Sequence, residues 1–136
     1  MSVLKAELLD HVNIKVSDMD ASLSFYSEFL GLETVSVSQD EHGDPDFVGL
    51  KAGAQIVYLS RNRDFRSPEA VSDRGLNHLC IVVEPVGIDS LLEKLGDRSI
   101  PIRQEAAHRR DGRGASISTY VEDPDGHGVE IKQYPE

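Results

Sequence analysis

The segment Leu9-Asp10-His11-Val12-Asn13-Ile14 returns further along the chain as Leu76-Asn77-His78-Leu79-Cys80-Ile81. Each copy runs on through a strand-like stretch into a helix-like one, residues 19–31 in the first and 86–96 in the second. An internal repeat fixes architecture before any single residue is interpreted. A chain built this way folds as two copies of one unit. A histidine at the same place in each copy points to two half-sites meeting on one axis.

Residues 8–16 alternate Val12, Ile14 and Val16 with His11, Asn13 and Lys15, a period of two that gives a strand one apolar and one polar face. Ser17 or Asp18 can then cap a helix, because a side-chain oxygen there accepts from free first-turn amides. Leu23, Tyr26, Phe29 and Leu30 form its apolar stripe, and Gly31 ends it. Strands are predicted at 33–38, 47–52 and 54–60, with a turn at 42–45. A polar connector spans 61–74. The second copy repeats the order, with a strand at 76–84, a helix at 86–95 and strands at 100–106, 116–122 and 129–134. A basic loop, residues 108–114, and the turn Asp123-Pro124-Asp125-Gly126 interrupt it. The fold class is α+β, βαβββ twice, each sheet carrying its helix on one face and a cupped polar face on the other. Both modules make up one domain over 1–136, the first about 7–62 and the second about 75–136.

Parity sends His11 to the cupped face of the first module and His78, Cys80 and Val82 to that of the second. In the last strand Val129 and Ile131 lie under the helix, while Glu130, Lys132 and Tyr134 face the cup. Two imidazoles and a carboxylate are a ligand set for a divalent transition metal, with positions left open for substrate or water. A buried Glu in Val-Glu-Ile also needs a cation or a partner. A lone strand histidine is more often structural, so the weight rests on the repeat. Cys80 reads as a buried structural thiol, and His42, His108 and His127 fall in exposed turns or loops.

A net charge of −10 disfavours nucleic acid, which needs clustered Lys and Arg. The single cysteine, the lack of a signal-like N-terminus and the lack of an apolar stretch of about 20 residues predict a cytoplasmic protein that does not span a membrane.

The segments Asp10-His11-Val12, Ser24-Phe25-Tyr26 to Leu30-Gly31, Asn77-His78 and Tyr120 through Asp123-Pro124-Asp125-Gly126 to Val129-Glu130 resemble the vicinal oxygen chelate superfamily. That superfamily includes glyoxalase I, type I extradiol dioxygenases, fosfomycin-resistance thiol transferases, methylmalonyl-CoA epimerase and the bleomycin resistance proteins. The resemblance implies two βαβββ modules forming a U-shaped, barrel-like metal cleft. It places His11, His78 and Glu130 on three of four ligand positions and Tyr58 on the fourth. Glyoxalase I has a Glu there that is both ligand and base, and a tyrosine is a poor base at neutral pH.

On the same resemblance, Tyr120 would donate to a metal-bound oxygen and His108 could serve as an acid from its loop. Asn13, Tyr58, Ser118, Arg109 and Arg113 are candidates to line the cleft, the arginines as an anion-binding rim. The implied function is a metal-dependent enzyme (Fe, Mn, Zn or Ni) of dioxygenase-like or glyoxalase-like chemistry on a small oxygen-bearing substrate, working as a homodimer. Two alternatives are a metal-free bleomycin-resistance-type binding protein and a fosfomycin-type transferase.

Overall fold

Strand β1 (His11–Val16) keeps the alternation of its sequence: Ile14 and Val16 are buried, while His11, Asn13 and Lys15 are exposed on the other face. The computed structural model describes residues 3, 5–111 and 113–134, the side chains of 71 and 111 aside. Asp18 caps α1 (Met19–Leu23), its carboxylate accepting from the Ala21 amide at 3.1 Å. The helix then widens into a π-helical segment, Ser24–Phe29, in which the Leu30 amide donates to the Phe25 carbonyl at 3.0 Å. The wider turn changes which side chains go inward. Phe25 and Tyr26 are both buried, whereas Leu23, Phe29 and Leu30 of the expected α-helical stripe are only half-buried. Gly31 ends the helix at φ +79°, a conformation that costs a residue with a Cβ.

Strands β2 (Glu33–Gln39), β3 (Pro45–Ala52) and β4 (Gln55–Arg61) complete an open sheet in the order β1-β4-β3-β2. β1 runs parallel to β4, and the other pairs are antiparallel. Val48, Leu50, Val57 and Leu59 join Ile14 and Val16 in the core. Arg61, placed by its sequence in the connector, instead ends β4 and meets Asp40 in a 2.7 Å ion pair. That guanidinium, helped by the Asp44 and His42 amides, holds the Asp40 carboxyl down at about 2.

The second unit has the same plan. β5 (Leu79–Val82) and α2 (Ile88–Asp97) are followed by β6 (Ile102–Asp111), β7 (Gly114–Glu122) and β8 (Gly128–Gln133), in the order β5-β8-β7-β6. β5 is shorter than its sequence suggested, and His78 sits immediately before it. Leu91 and Leu95 of α2, Val121 of β7, and Val129 and Ile131 of β8 form the buried apolar set. The segment read as a basic loop is mostly strand: His108, Arg109 and Arg110 pair with Ile117, Ser116 and Ala115. The β6–β7 ladder extends to Asp111 and Gly114, with Gly112 lying outside the described residues. Backbone pairing wins here over the local signal of charge and glycine. The chain divides into two units, Met1–Phe65 and Arg66–Glu136.

Candidate metal and substrate site

The Asp-Pro-Asp-Gly turn acts first on the backbone. The buried Asp123 carboxylate accepts from the amides of Asp125 (2.9 Å) and His127 (2.8 Å), and Gly126 takes φ +82°. Arg103 donates to the Gly126 carbonyl at 3.3 Å, and Arg74 also donates to it. This closes the turn and starts β8 in a fixed register. Gly128 then passes so close to the preceding segment that a Cβ there would lie 2.6 Å from the Asn77 carbonyl oxygen and 3.1 Å from His78 Cβ. Only glycine lets β8 run beside His78.

Two residues on, Glu130 is 4% exposed and faces the side opposite Val129 and Ile131. Its register partners are Cys80 on β5 and Tyr120 on β7. The two carboxylate oxygens have separate surroundings. Ser118 Oγ donates to Oε2 at 2.7 Å, and Lys132 Nζ lies 3.4 Å from the same atom. His78 Nε2 lies 3.2 Å from Oε1. Burial pushes the Glu130 pKa up, but hydrogen bonds from Ser118 and Tyr120 and the charge of Lys132 outweigh it, so the group sits below its ordinary 4.5. Burial and the bond to Glu130 push the Tyr120 hydroxyl above 10. The requirement for a partner, read from Val-Glu-Ile as a reason to expect a metal, is thus already met by protein groups.

His78 Nδ1 is 2.8 Å from Asn77 Oδ1, an acceptor, so Nδ1 carries the hydrogen. With Nδ1 donating there, Nε2 is the ring nitrogen that faces the Glu130 carboxylate. Lone pair facing anion is repulsive unless a proton or a metal cation lies between them. Ligand bonds of about 2.1 Å put adjacent ligand atoms of one ion about 3 Å apart, which this pair matches. The donors fit a divalent cation. Among the described residues, no group of three or more His, Cys, Asp or Glu side chains is drawn together to hold one.

Tyr120 meets His78 edge-on, and Arg109 lies over the Tyr120 ring at 5.1 Å while donating to Gln104 at 3.2 Å. Arg109 and its partner Ser116 share the face of Tyr120 and Ser118. His108 does not: adjacent to Arg109 and paired with Ile117, it points to the other face and is exposed. The strand reverses the loop reading from which an acid role was drawn. Arg113 is exposed in the turn between β6 and β7. Cys80 is exposed, so the buried-thiol reading is also corrected: strand parity gives the more covered, half-buried side of β5 to Leu79 and Ile81.

In the first module His11 Nδ1 lies 2.7 Å from Asp10 Oδ2 and its ring meets Tyr58 edge-on. Tyr58 stacks on Phe47, and Asn13 Oδ1 accepts from Ser60 at 2.6 Å. Tyr58 pairs with Asn13 and Gly49 as Glu130 pairs with Cys80 and Tyr120, which places Tyr58 at the repeat position of Glu130. Sequence reasoning passed over Asn77, Gly128 and Lys132 as site residues. The signal for the first was present, an Asp or Asn directly before each repeated histidine.

The profile of the Glyoxalase/Bleomycin resistance protein/Dioxygenase superfamily matches residues 8–131. The virulence protein STM3117 of Salmonella typhimurium is 28% identical over 127 residues, covering 93% of this chain and 83% of that protein. A lactoylglutathione lyase of Haemophilus influenzae is 23% identical over 123 residues, with 89% and 88% covered. Among solved structures, a glyoxalase/dioxygenase from Nostoc punctiforme has the same fold at a TM-score of 0.75 and 23% identity, with 100% of this chain and 99% of that one covered. With its two βαβββ units and a profile match over nearly its whole length, the chain belongs to the glyoxalase/bleomycin resistance protein/dioxygenase superfamily.

Proposed function

We propose that this chain is a metal-dependent enzyme acting on a small oxygen-bearing substrate, with His78 and Glu130 as ligands of a divalent ion. The observation that carries this reading is the 3.2 Å approach of His78 Nε2 to Glu130 Oε1 while Nδ1 is held by Asn77. A histidine oriented by a second hydrogen bond is the usual arrangement of a metal ligand. His11, the counterpart of His78 in the first module, has its Nδ1 engaged in the same way and carries the remaining ligand role that the family resemblance implies.

When bound, the ion would act as a Lewis acid toward a substrate oxygen, with iron or manganese also suiting oxygen chemistry. The chain's own groups supply the rest. Ser118, Tyr120 and Lys132 keep Glu130 ionised and fixed. Arg109 offers a positive charge over Tyr120 to an anionic part of the substrate. Tyr58, standing at the repeat position of Glu130, offers no carboxylate base there. The chemistry is accordingly dioxygenase-like, or glyoxalase-like with a proton acceptor other than at that position.

Metal-free sequestration of a cationic ligand is the second reading, and Arg109 and Lys132 on the polar face of the second sheet work against it. We also propose a homodimer, since the edge strand β2 is exposed throughout and shows Val35 and Val37 half-open to solvent. Light scattering at micromolar concentration tests that; a monomer removes it. No helix among the described residues is long and apolar enough to cross a membrane.

Elemental analysis of untagged protein tests the central reading. About one Fe, Mn, Zn or Ni per chain, lost in Glu130→Gln and His78→Ala, supports it. His11→Ala tests the remaining ligand in the same way. Metal-free wild-type protein that takes up none of these ions anaerobically overturns it in favour of a binding protein.

A further inference from the structure

Lys132 is 8% exposed, shares the face of Glu130 and Ser118, and places its ammonium 3.4 Å from Glu130 Oε2. The ring of Tyr134 lies 5.9 Å from the same nitrogen. A lysine so enclosed is not a solvated surface charge. Its stem crosses the polar face to reach one carboxylate oxygen, and Ser118 donates to that same oxygen. The other oxygen faces His78 Nε2 at 3.2 Å.

We infer that Lys132 is a built-in competitor cation: it holds Glu130 so that only Oε1 is offered to a metal ion, and its charge weakens divalent-metal binding at this site. The inference rests on the metal reading of His78 and Glu130. Two physical effects lead to it. A carboxylate whose second oxygen is held by Ser118 and Lys132 offers an ion one donor atom instead of two, and the ammonium offsets part of its negative charge. A divalent ion and an ammonium group bound to the same buried carboxylate also repel each other, and the low local dielectric strengthens that repulsion. The positive charge therefore trades metal affinity for a fixed carboxylate, which suits an ion that must keep positions open.

The test measures Co(II) binding, by its visible absorption and by competition with a chromophoric chelator, in wild type, Lys132→Met and Lys132→Arg. Methionine keeps the length of the stem and removes the charge; arginine keeps the charge. Lys132→Met is expected to bind cobalt at least ~10-fold more tightly, with a changed absorption envelope now that Ser118 alone holds the second oxygen. Lys132→Arg is expected to stay near wild type. Lys132→Gln replaces the methionine variant if circular dichroism shows that it does not fold. Equal or weaker binding in the neutral variants overturns the role of Lys132 while leaving the metal site standing. Cobalt binding in none of the proteins, or binding unaffected by Glu130→Gln, overturns the metal reading and this inference with it.

Discussion

The ring of Tyr120 stands edge-on to that of His78, with centroids 5.1 Å apart and planes at 82°, and Tyr58 makes the same contact with His11 at 5.1 Å and 84°. The tyrosines come from different strands. Tyr58 lies on β4, at the position that β8 gives to Glu130, and the counterpart of Tyr120 on β3 is Gly49. The ring of Tyr58 lies over that glycine, where a Cβ would come within 3.0 Å of it. The repeat thus keeps a histidine braced by an aromatic ring, while the second module places the Glu130 carboxylate at the strand position that Tyr58 takes in the first.

Glu130→Gln should keep the fold, because the amide still accepts from Ser118 and Tyr120. It removes the negative charge that Lys132 faces at 3.4 Å, and we expect a loss of roughly 1–3 kcal/mol in urea unfolding. Metal affinity should fall by at least ~10-fold, as expected when a charged ligand becomes neutral. Unchanged metal content in the folded variant would remove Glu130 from the site.

Gly128→Ala forces a methyl group against the Asn77 carbonyl and the Arg103 guanidinium, which a Cβ would approach to 2.6 and 2.5 Å. The backbone contact cannot yield without moving β8 or His78. Destabilisation of about 1–3 kcal/mol is expected, together with weaker metal binding. Alanine at the exposed Gly75, outside any helix or strand and where a Cβ meets open space, is the control and should do neither.

Asp40 and Arg61 give a pH-dependent contribution to the first module. The folded pKa of Asp40, about 2, lies below its ordinary 3.8, so its stabilising effect is present above pH 3.8 and is lost as the pH falls toward 2. Thermal melts of wild type and Asp40→Asn should therefore differ at pH 6 and converge near pH 2. A difference that persists undiminished at pH 2 would assign the effect to something other than this charge.

Tyr120→Phe preserves the ring contact with His78 and removes the hydroxyl from Glu130. We expect about 0.5–1.5 kcal/mol of lost stability and a smaller fall in metal affinity than in Glu130→Gln. Equal losses in the two variants, read by unfolding and by metal competition, would make the hydroxyl as important as the carboxylate itself.

Much of this was legible in the chain. The repeat and the period-two alternation around His11 determined two βαβββ units and the face on which each histidine stands, because strand parity is a local property of the backbone. The Asp-Pro-Asp-Gly run marked the turn before Glu130, because turn chemistry is local too. What only the tertiary structure decided depends on cross-strand neighbours. The basic segment became strand because β7 was available to pair with it, which turned His108 away from Tyr120. The π-helical segment redirected Phe25 because the core, and not helical spacing, decided which rings to bury. Cys80 came out exposed because it lies on the face of β5 opposite Leu79 and Ile81. Lys132 beside Glu130 looked like ordinary alternation in sequence. Its role depends on a 3.4 Å distance that periodicity cannot specify.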